Sequence, residues 1–218
     1  MKRCFKPILL LAAAAALAGC WGTVTCPELK ESVVESVLVW TPYEKNDTVL
    51  FTSKAVDYLQ DYSIMLIITN VEAQHITQYS AGSKCGGCRD EIRVTGTISG
   101  TGFEILTDFD RNNKISYQHL WFTDSYFLSY STHSTYAVED VEYKNVRVYN
   151  SYNSDNTDKG YKTLIIAKDV GIVGLVDFND SVWYIKKNDG AKNVNAAETD
   201  STTAFKAKNI TITNKEGC

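Results

Sequence analysis

The sequence lacks a second hydrophobic run after its N-terminal one. Beyond residue 20, the most apolar stretch is YSIMLIITNV at 62–71, which is well short of the ~20 apolar residues of a membrane-spanning helix. Its β-branched residues predict a buried strand instead. This absence excludes a mature chain that crosses a membrane through helices.

An excess of basic residues is also absent. Three of the 22 Lys and Arg residues fall within residues 1–19, which leaves 19 of them against 26 Asp and Glu residues in the rest of the chain. The formal net charge of residues 20–218 is therefore −7. A mildly acidic protein gains nothing from neutralising phosphates, so we expect no nucleic-acid partner.

Motifs for catalysis are scarce as well. The chain has no GxSxG turn, the glycines of GIVGLV come without a phosphate-loop lysine, and His75, His119 and His133 lack the spacing of metal ligands. Carboxylates are plentiful, but nothing selects one pair for glycoside hydrolysis. We therefore predict no catalytic residue, no metal site and no cofactor, and we favour a binding or structural protein over an enzyme.

The chain does have an N-terminus typical of exported proteins. Lys2, Arg3 and Lys6 precede an apolar run from Ile8 to Ala18, as in a secretory signal peptide. The LAGC sequence at 17–20 resembles the lipobox of bacterial lipoproteins. That resemblance implies cleavage after residue 19 and a thioether-linked diacylglycerol on Cys20, and two or more acyl chains anchor a protein stably.

Four cysteines remain once Cys4 leaves with the signal peptide and Cys20 carries lipid. An even number of cysteines in an exported chain suggests disulfides, and four allow three pairings. We favour Cys85 with Cys88, because the two glycines between them free the backbone for a tight ring, and Cys26 with Cys218.

Redox and zinc alternatives fit these cysteines less well. A redox pair needs its first thiol at a helix N-terminus, whereas RDEIRVTGTISG, which follows the pair, alternates like a strand. Structural zinc usually requires a second paired ligand motif. The sequence alone leaves the connectivity open.

Most of the mature chain is predicted to form β-strands. A short helix is predicted over 27–40, where apolar residues recur at helical spacing. Eleven Val-, Ile-, Thr- and aromatic-rich segments follow, separated by turn residues. They include TVLFTS, SYFLSYS, VEYKNVRVYNS and YKTLIIA, and none of them covers 132–140. No helix of crossover length lies between them, which disfavours a parallel sheet. We predict one all-β domain over 20–218, with 20–26 as its tether, folded as an antiparallel sandwich or an open, lipocalin-like barrel.

Three segments resemble small β-rich lipoproteins of Bacteroidetes-type bacteria. They are ESVLVWTPYEKNDTVLFTS, the CGGC pair, and LIIAKDVGIVGLVDFNDSVWYI. Asp169-Val170 stands where those proteins usually carry Lys-Gly. The resemblance implies a β-rich envelope protein and no particular activity.

Two further patterns admit a functional interpretation. In DFDRNNKISYQH (108–119), Asp108, Asp110 and Asn112 are spaced like calcium ligands. His119 replaces the bidentate acidic ligand, however, so a plain β-hairpin turning at DRNN is the favoured interpretation. The tyrosine-rich segment from Tyr117 to Tyr161 could stack on sugars, although tyrosine is also a common strand residue.

Together these observations predict an outer-membrane lipoprotein that faces the periplasm or the cell surface. No acidic residue follows Cys20 at once, which slightly favours the periplasmic side. The expected partners are the membrane, through the Cys20 lipid, and glycans or other envelope proteins. A carbohydrate-binding or carbohydrate-active module, dependent on calcium, is the alternative.

Overall fold

The computed structural model describes residues 28–53, 62–78, 88–110, 114–122, 125–152, 160–185 and 212–217. For 76–78, 88, 116–117 and 212–217 it describes the backbone alone. The predicted signal peptide, Cys20 and the tether lie outside these residues.

Within the described residues one helix, α1, spans Glu31–Leu38, and it is shorter than the predicted 27–40. It begins late because Lys30 still has an extended backbone. Val34, Val37 and Leu38 are buried, and they pack on Ala73, Ile92 and Phe109 of the sheet in a core cluster with Leu29. The helix therefore covers one end of the β domain.

The described residues contain twelve strands. They are β1 (Thr48–Ser53), β2 (Tyr62–Gln78), β3 (Cys88–Ile98), β4 (Thr101–Phe109), β5 (Ile115–Phe122), β6 (Ser125–Phe127), β7 (Tyr130–Val138), β8 (Val141–Asn150), β9 (Tyr161–Ala167), β10 (Gly171–Asp177), β11 (Val182–Ile185) and β12 (Ile212–Gly217). The all-β prediction is confirmed, and the strands form a nearly closed, barrel-shaped sheet.

Eleven strands follow one antiparallel path. Their order is β6-β5-β4-β3-β2-β1-β11-β10-β9-β8-β7, so two meanders are joined by the pairing of β1 with β11. β12 departs from the antiparallel prediction because it pairs with β2 in parallel. The 62–71 run lies in β2, so the predicted strand is confirmed, but it is buried on one face only, since Leu66 and Ile68 are buried while Met65 is 46% exposed.

The other side of the barrel is closed by a strand that changes partners. β6 pairs with β5, β7 pairs with β8, and only residues 128 and 129 separate β6 from β7. Because β5 and β8 are an even number of antiparallel steps apart, β6 and β7 run in the same direction. They act as one long strand that bonds first to one edge of the sheet and then to the other.

Further bonds close the barrel beside β6. The backbone N–H of Tyr152 donates to the Tyr126 carbonyl at 2.8 Å, and the backbone N–H of Tyr161 donates to Ser125 Oγ at 2.9 Å. Inside, Phe51, Phe103, Phe122, Phe127 and Tyr149 are almost completely buried. The barrel interior is thus filled by side chains.

The β7–β8 hairpin bends at Asn145, where the pairing of β7 with β8 is interrupted between His133↔Val146 and Thr135↔Lys144. Asn145 has a positive φ of 52°, which asparagine tolerates. Beyond the bend, Val138 and Tyr143 join Ile165 and Val173 in a second hydrophobic cluster. Leu164 and Ile166 belong to the interior cluster, and strand neighbours point to opposite faces, so the second cluster lies on the outer face of β9 and β10.

Candidate functional site

An open cleft of about 890 Å³ lies between α1 and the bent β7–β8 hairpin. Four segments line it: the outer side of α1 with the residues that follow it, β7, the bend of β8, and the β9–β10 turn. The lining residues are Ser32, Glu35, Ser36, Val39, Trp40, Thr132, His133, Ser134, Asn145, Val146, Lys168 and Asp169. Its volume is in the range of ligand-binding pockets, roughly 300–1,000 Å³.

The α1 wall is fixed to the β9–β10 turn by backbone bonds. The Asp169 N–H donates to the Val39 carbonyl at 2.5 Å, and the Ile172 N–H donates to Tyr43 Oη at 2.6 Å. Tyr43 is fully buried, and burial raises the pKa of its phenol well above the usual value. The helix end therefore cannot move away from the turn without breaking these bonds.

Gly171 makes this close approach feasible. Its φ is +93°, and a Cβ built on it would lie 2.4 Å from Tyr43 Oη. Only glycine meets both conditions, since other residues are strained at this φ. The backbone of Asp169 is also in the left-handed region, with φ of 63°. This conformation places Asp169 and Lys168 at the rim of the cleft.

The hairpin wall is fixed at its bend. The Lys168 N–H donates to the Asn145 carbonyl at 3.0 Å, which ties the bend to the β9–β10 turn. On β7, Ser131 Oγ lies 3.0 Å from His133 Nε2, and the His133 ring contacts Tyr136 edge-on at 5.2 Å. These contacts hold the His133 ring at the mouth of the cleft.

Trp40 forms the aromatic surface of the cleft. The Arg147 guanidinium lies 3.8 Å from the centre of the Trp40 ring and 4.5 Å from that of Tyr130. Such a cation held between two rings orients both of them. Trp40 is half-buried and also packs against the interior cluster, so the ring is held before any ligand arrives.

Tyr149 lies behind this stack. Burial raises the pKa of the Tyr149 phenol to about 12, in spite of the Arg147 charge, which acts in the opposite direction. Its Oη donates to Gln118 Oε1 at 3.5 Å. This contact joins β8 to β5 across the barrel interior, beneath the aromatic stack.

A second polar cluster lies on the outer face of β3, β4 and β5. Glu91 contacts Arg93 at 3.0 Å and Arg89 at 3.6 Å, and Arg89 contacts Asp108 at 2.7 Å. Glu104 also contacts Arg93 at 3.5 Å and His119 at 3.3 Å. Glu91 and Asp108 are buried although they face outward, so this cluster supports the sheet.

The predicted site residues lie mostly elsewhere. Cys20, Cys26, Cys85 and Cys218 are outside the described residues, and Cys88 begins β3 with only its backbone described. The disulfide predictions therefore stay predictions. His75 contacts the Asp90 carboxylate, His119 contacts the Glu104 carboxylate, and His133 lines the cleft.

The structure places the calcium-like segment across the β4–β5 hairpin. Asp108 lies in β4 and pairs with Arg89, and Asp110 Oδ1 accepts a bond from the Lys114 N–H. Asn112 lies outside the described residues. Among the described side chains, no group of three or more His, Cys, Asp and Glu is placed to hold a metal ion.

The tyrosine-rich segment divides between core and surface. Tyr143, Tyr149 and Tyr161 are buried, whereas Tyr126 and Tyr152 are 46% and 77% exposed. Trp40, which lines the cleft, lies outside that segment, at the end of the predicted 27–40 helix.

Comparison with known proteins adds no further identification: no family model, no curated protein and no solved structure matches the chain. Within the described residues, no helix has the length and apolar character required to cross a membrane.

Proposed function

We propose that the protein is a lipid-anchored protein of the cell envelope whose β domain binds a ligand in the cleft beside Trp40. The cleft carries this proposal. It combines a fixed aromatic ring with polar side chains on three sides, and polar groups that converge on one place can orient a ligand. Since the barrel interior is filled, the cleft is the better candidate for binding.

The N-terminal sequence supports the anchoring. Its basic head, apolar run and LAGC sequence favour lipid attachment at Cys20 on the outer membrane, with the domain facing the periplasm or the cell surface. Eight residues lead from Cys20 to Glu28, a span of roughly 28 Å at full extension. Because α1 is one wall of the cleft, a bound ligand would be held close to the membrane.

Lipid labelling tests the anchoring. The full-length chain is expressed in a Gram-negative host with labelled palmitate, and the N-terminal peptide is analysed by mass spectrometry. We expect label in the wild type and in Cys4→Ser, whose cysteine lies in the signal peptide, and none in Cys20→Ser. Label that persists in Cys20→Ser, or an unmodified wild-type Cys20, would refute the anchoring.

Indole NMR tests the binding. The full-length protein is labelled at its tryptophan indoles, and the Trp40 signal is assigned with Trp40→Phe. Oligosaccharides, tripeptides and short-chain organic acids are then titrated separately. A saturable shift of the Trp40 signal with any of these classes supports the binding function, and no shift with any class contradicts it.

A further inference from the structure

We infer that the cleft takes an uncharged oligosaccharide, with a sugar ring against Trp40 and its hydroxyls bonded to the polar walls. This inference rests on the proposed function and names the ligand class of the same cleft. It is carried by the balance of charge, the kind of polar groups and the single aromatic surface.

The charges that line the cleft nearly cancel. Glu35 and Asp169 are opposed by Lys168, and His133 adds a positive charge only when protonated. An anionic ligand would be repelled by the excess carboxylate, whereas a cationic ligand would have only one carboxylate that Lys168 does not already balance. Unpaired charges placed close to like charges cost binding energy, so the cleft favours a ligand without net charge.

The remaining polar groups suit hydroxyls. Ser32, Ser36, Thr132 and Ser134 carry hydroxyls that donate and accept, and Asn145 carries an amide that does both. Ser36 Oγ already donates to the Val33 carbonyl at 2.7 Å, so toward the cleft it serves as an acceptor. Sugar hydroxyls also donate and accept, and they can therefore satisfy such a mixed lining.

Trp40 supplies the apolar contact. One face of its ring is taken by Arg147 at 3.8 Å, and the ring also lines the cleft. A ring that is already held loses little freedom on binding. A pyranose presents an apolar patch of C–H groups among its hydroxyls, and it matches a half-buried indole set among polar side chains.

The apolar part of the cleft is too small to favour a peptide. Val39 and Val146 are the only aliphatic side chains among the twelve lining residues. Peptide recognition generally uses pockets for several apolar side chains. We therefore favour a sugar, and a peptide is one outcome of the test.

The test is a calorimetric and NMR titration of the full-length protein in detergent. The neutral probes are the hexasaccharides of maltose, xylose, mannose, laminarin and chitin type. The charged probe is a hexamer of galacturonic acid, and a mixture of tripeptides represents peptides. We expect at least one neutral hexasaccharide to shift the Trp40 indole signal. Trp40→Ala should weaken that binding about tenfold or more.

Two further variants keep the test decisive. Ser32→Arg adds a long side chain to the exposed side of α1 and should block the cleft without entering the core. Trp121→Ala removes a tryptophan from β5, on the outer face of the sheet, and should leave the affinity unchanged. Equal loss in Trp121→Ala and Trp40→Ala would place the sugar elsewhere and overturn the inference.

The outcomes separate this inference from the proposed function. If tripeptides or galacturonate shift the Trp40 signal and no neutral sugar does, the inference that the ligand is a neutral sugar is overturned. The proposed binding function of the cleft is then supported. If no probe shifts the Trp40 signal, both the sugar inference and the proposed binding function are overturned. Loss of lipid from Cys20 bears on the anchoring alone.

Discussion

Tyr43 Oη accepts a hydrogen bond from the backbone N–H of Ile172, 129 residues further along the chain, at 2.6 Å. This bond ties the segment after α1 to the start of β10 and fixes one corner of the cleft. Both partners are buried, so water cannot replace either of them.

Tyr43→Phe should lower the free energy of unfolding by about 1–3 kcal/mol, because it leaves a buried N–H without an acceptor. Urea unfolding followed by circular dichroism measures the loss. The matched control is Tyr62→Phe, whose side chain is 54% exposed and whose effect should stay within about 0.5 kcal/mol. Equal effects in the two variants would show that the bond does not stabilise the fold.

Gly171→Ala should destabilise the protein more than Gly100→Ala. Both glycines have positive φ, +93° and +83°, but nothing lies within 4 Å of a Cβ on Gly100, whereas Tyr43 Oη lies 2.4 Å from one on Gly171. The Gly100 variant should lose about 1–2 kcal/mol through backbone strain alone. Thermal unfolding of both variants gives the comparison.

A double variant checks the cause. In the Tyr43→Phe background the clashing oxygen is gone, but the ring carbon 2.6 Å from the added Cβ remains. The added cost of Gly171→Ala should therefore shrink only in part. If the two costs simply add, the strain does not come from the Tyr43 hydroxyl.

Alkaline pH should unfold the protein between about pH 10 and pH 12. Burial raises the pKa of Tyr149 and of Tyr161 to about 12 from the ordinary 10.0. In this window the unfolded chain releases these protons while the folded chain holds them, so stability falls as pH rises. Below about pH 10 their contribution is fully present.

Absorbance at 295 nm and circular dichroism follow this transition together. We expect Tyr149 and Tyr161 to ionise only as the fold is lost, and Tyr149→Phe to reduce the slope of stability against pH. Ionisation of all 13 tyrosines near pH 10 with the fold intact would contradict the prediction.

Glu91→Gln should destabilise the sheet by about 1–2 kcal/mol. Glu91 is buried between two arginines, and removing its charge leaves them with a weaker partner. Both arginine side chains are more than a third exposed, so solvent screens part of the effect. Chemical unfolding measures the loss, and exposed Glu142→Gln on β8 should change almost nothing.

Arg147→Ala should loosen Trp40. Loss of a cation held between two rings removes about 1 kcal/mol of stability and should broaden the Trp40 indole signal in NMR spectra. Arg147→Lys should fall between wild type and alanine, since a lysine cannot stack as a plane. Exposed Lys144→Ala on the same strand is the control. An unchanged Trp40 signal in Arg147→Ala would show that another contact holds the ring.

The strands were predictable because the side-chain pattern of each is local. TVLFTS and YKTLIIA coincide with β1 and β9. β7 was largely missed because its side chains are polar and mostly exposed, so it shows no alternation of buried and exposed residues. The continuous strand formed by β6 and β7 pairs first with β5 and then with β8. This change of partner does not alter the alternation of side chains, so the sequence pattern cannot predict it.

The cleft could not be predicted from sequence. Its walls come from 32–40, 132–146 and 168–169, and they meet only because the hairpin bends at Asn145 and Tyr43 reaches Ile172. Asn145, the residue at the bend, has a positive φ. Asparagine tolerates this conformation but does not require it, so its presence in the sequence does not predict the bend. The packing of distant segments therefore decides the site.

Because β6 and β7 act as one long strand, the domain divides into two halves at the junction between them. A cut between residues 128 and 129 would leave two fragments, one with α1 and β1–β6 and the other with β7–β12. Each fragment carries an edge that the other one matches, at β1 with β11 and at β2 with β12. The protein is thus a natural candidate for a split reporter, whose halves regain the cleft only on reassembly, since α1 comes from one half and the hairpin from the other.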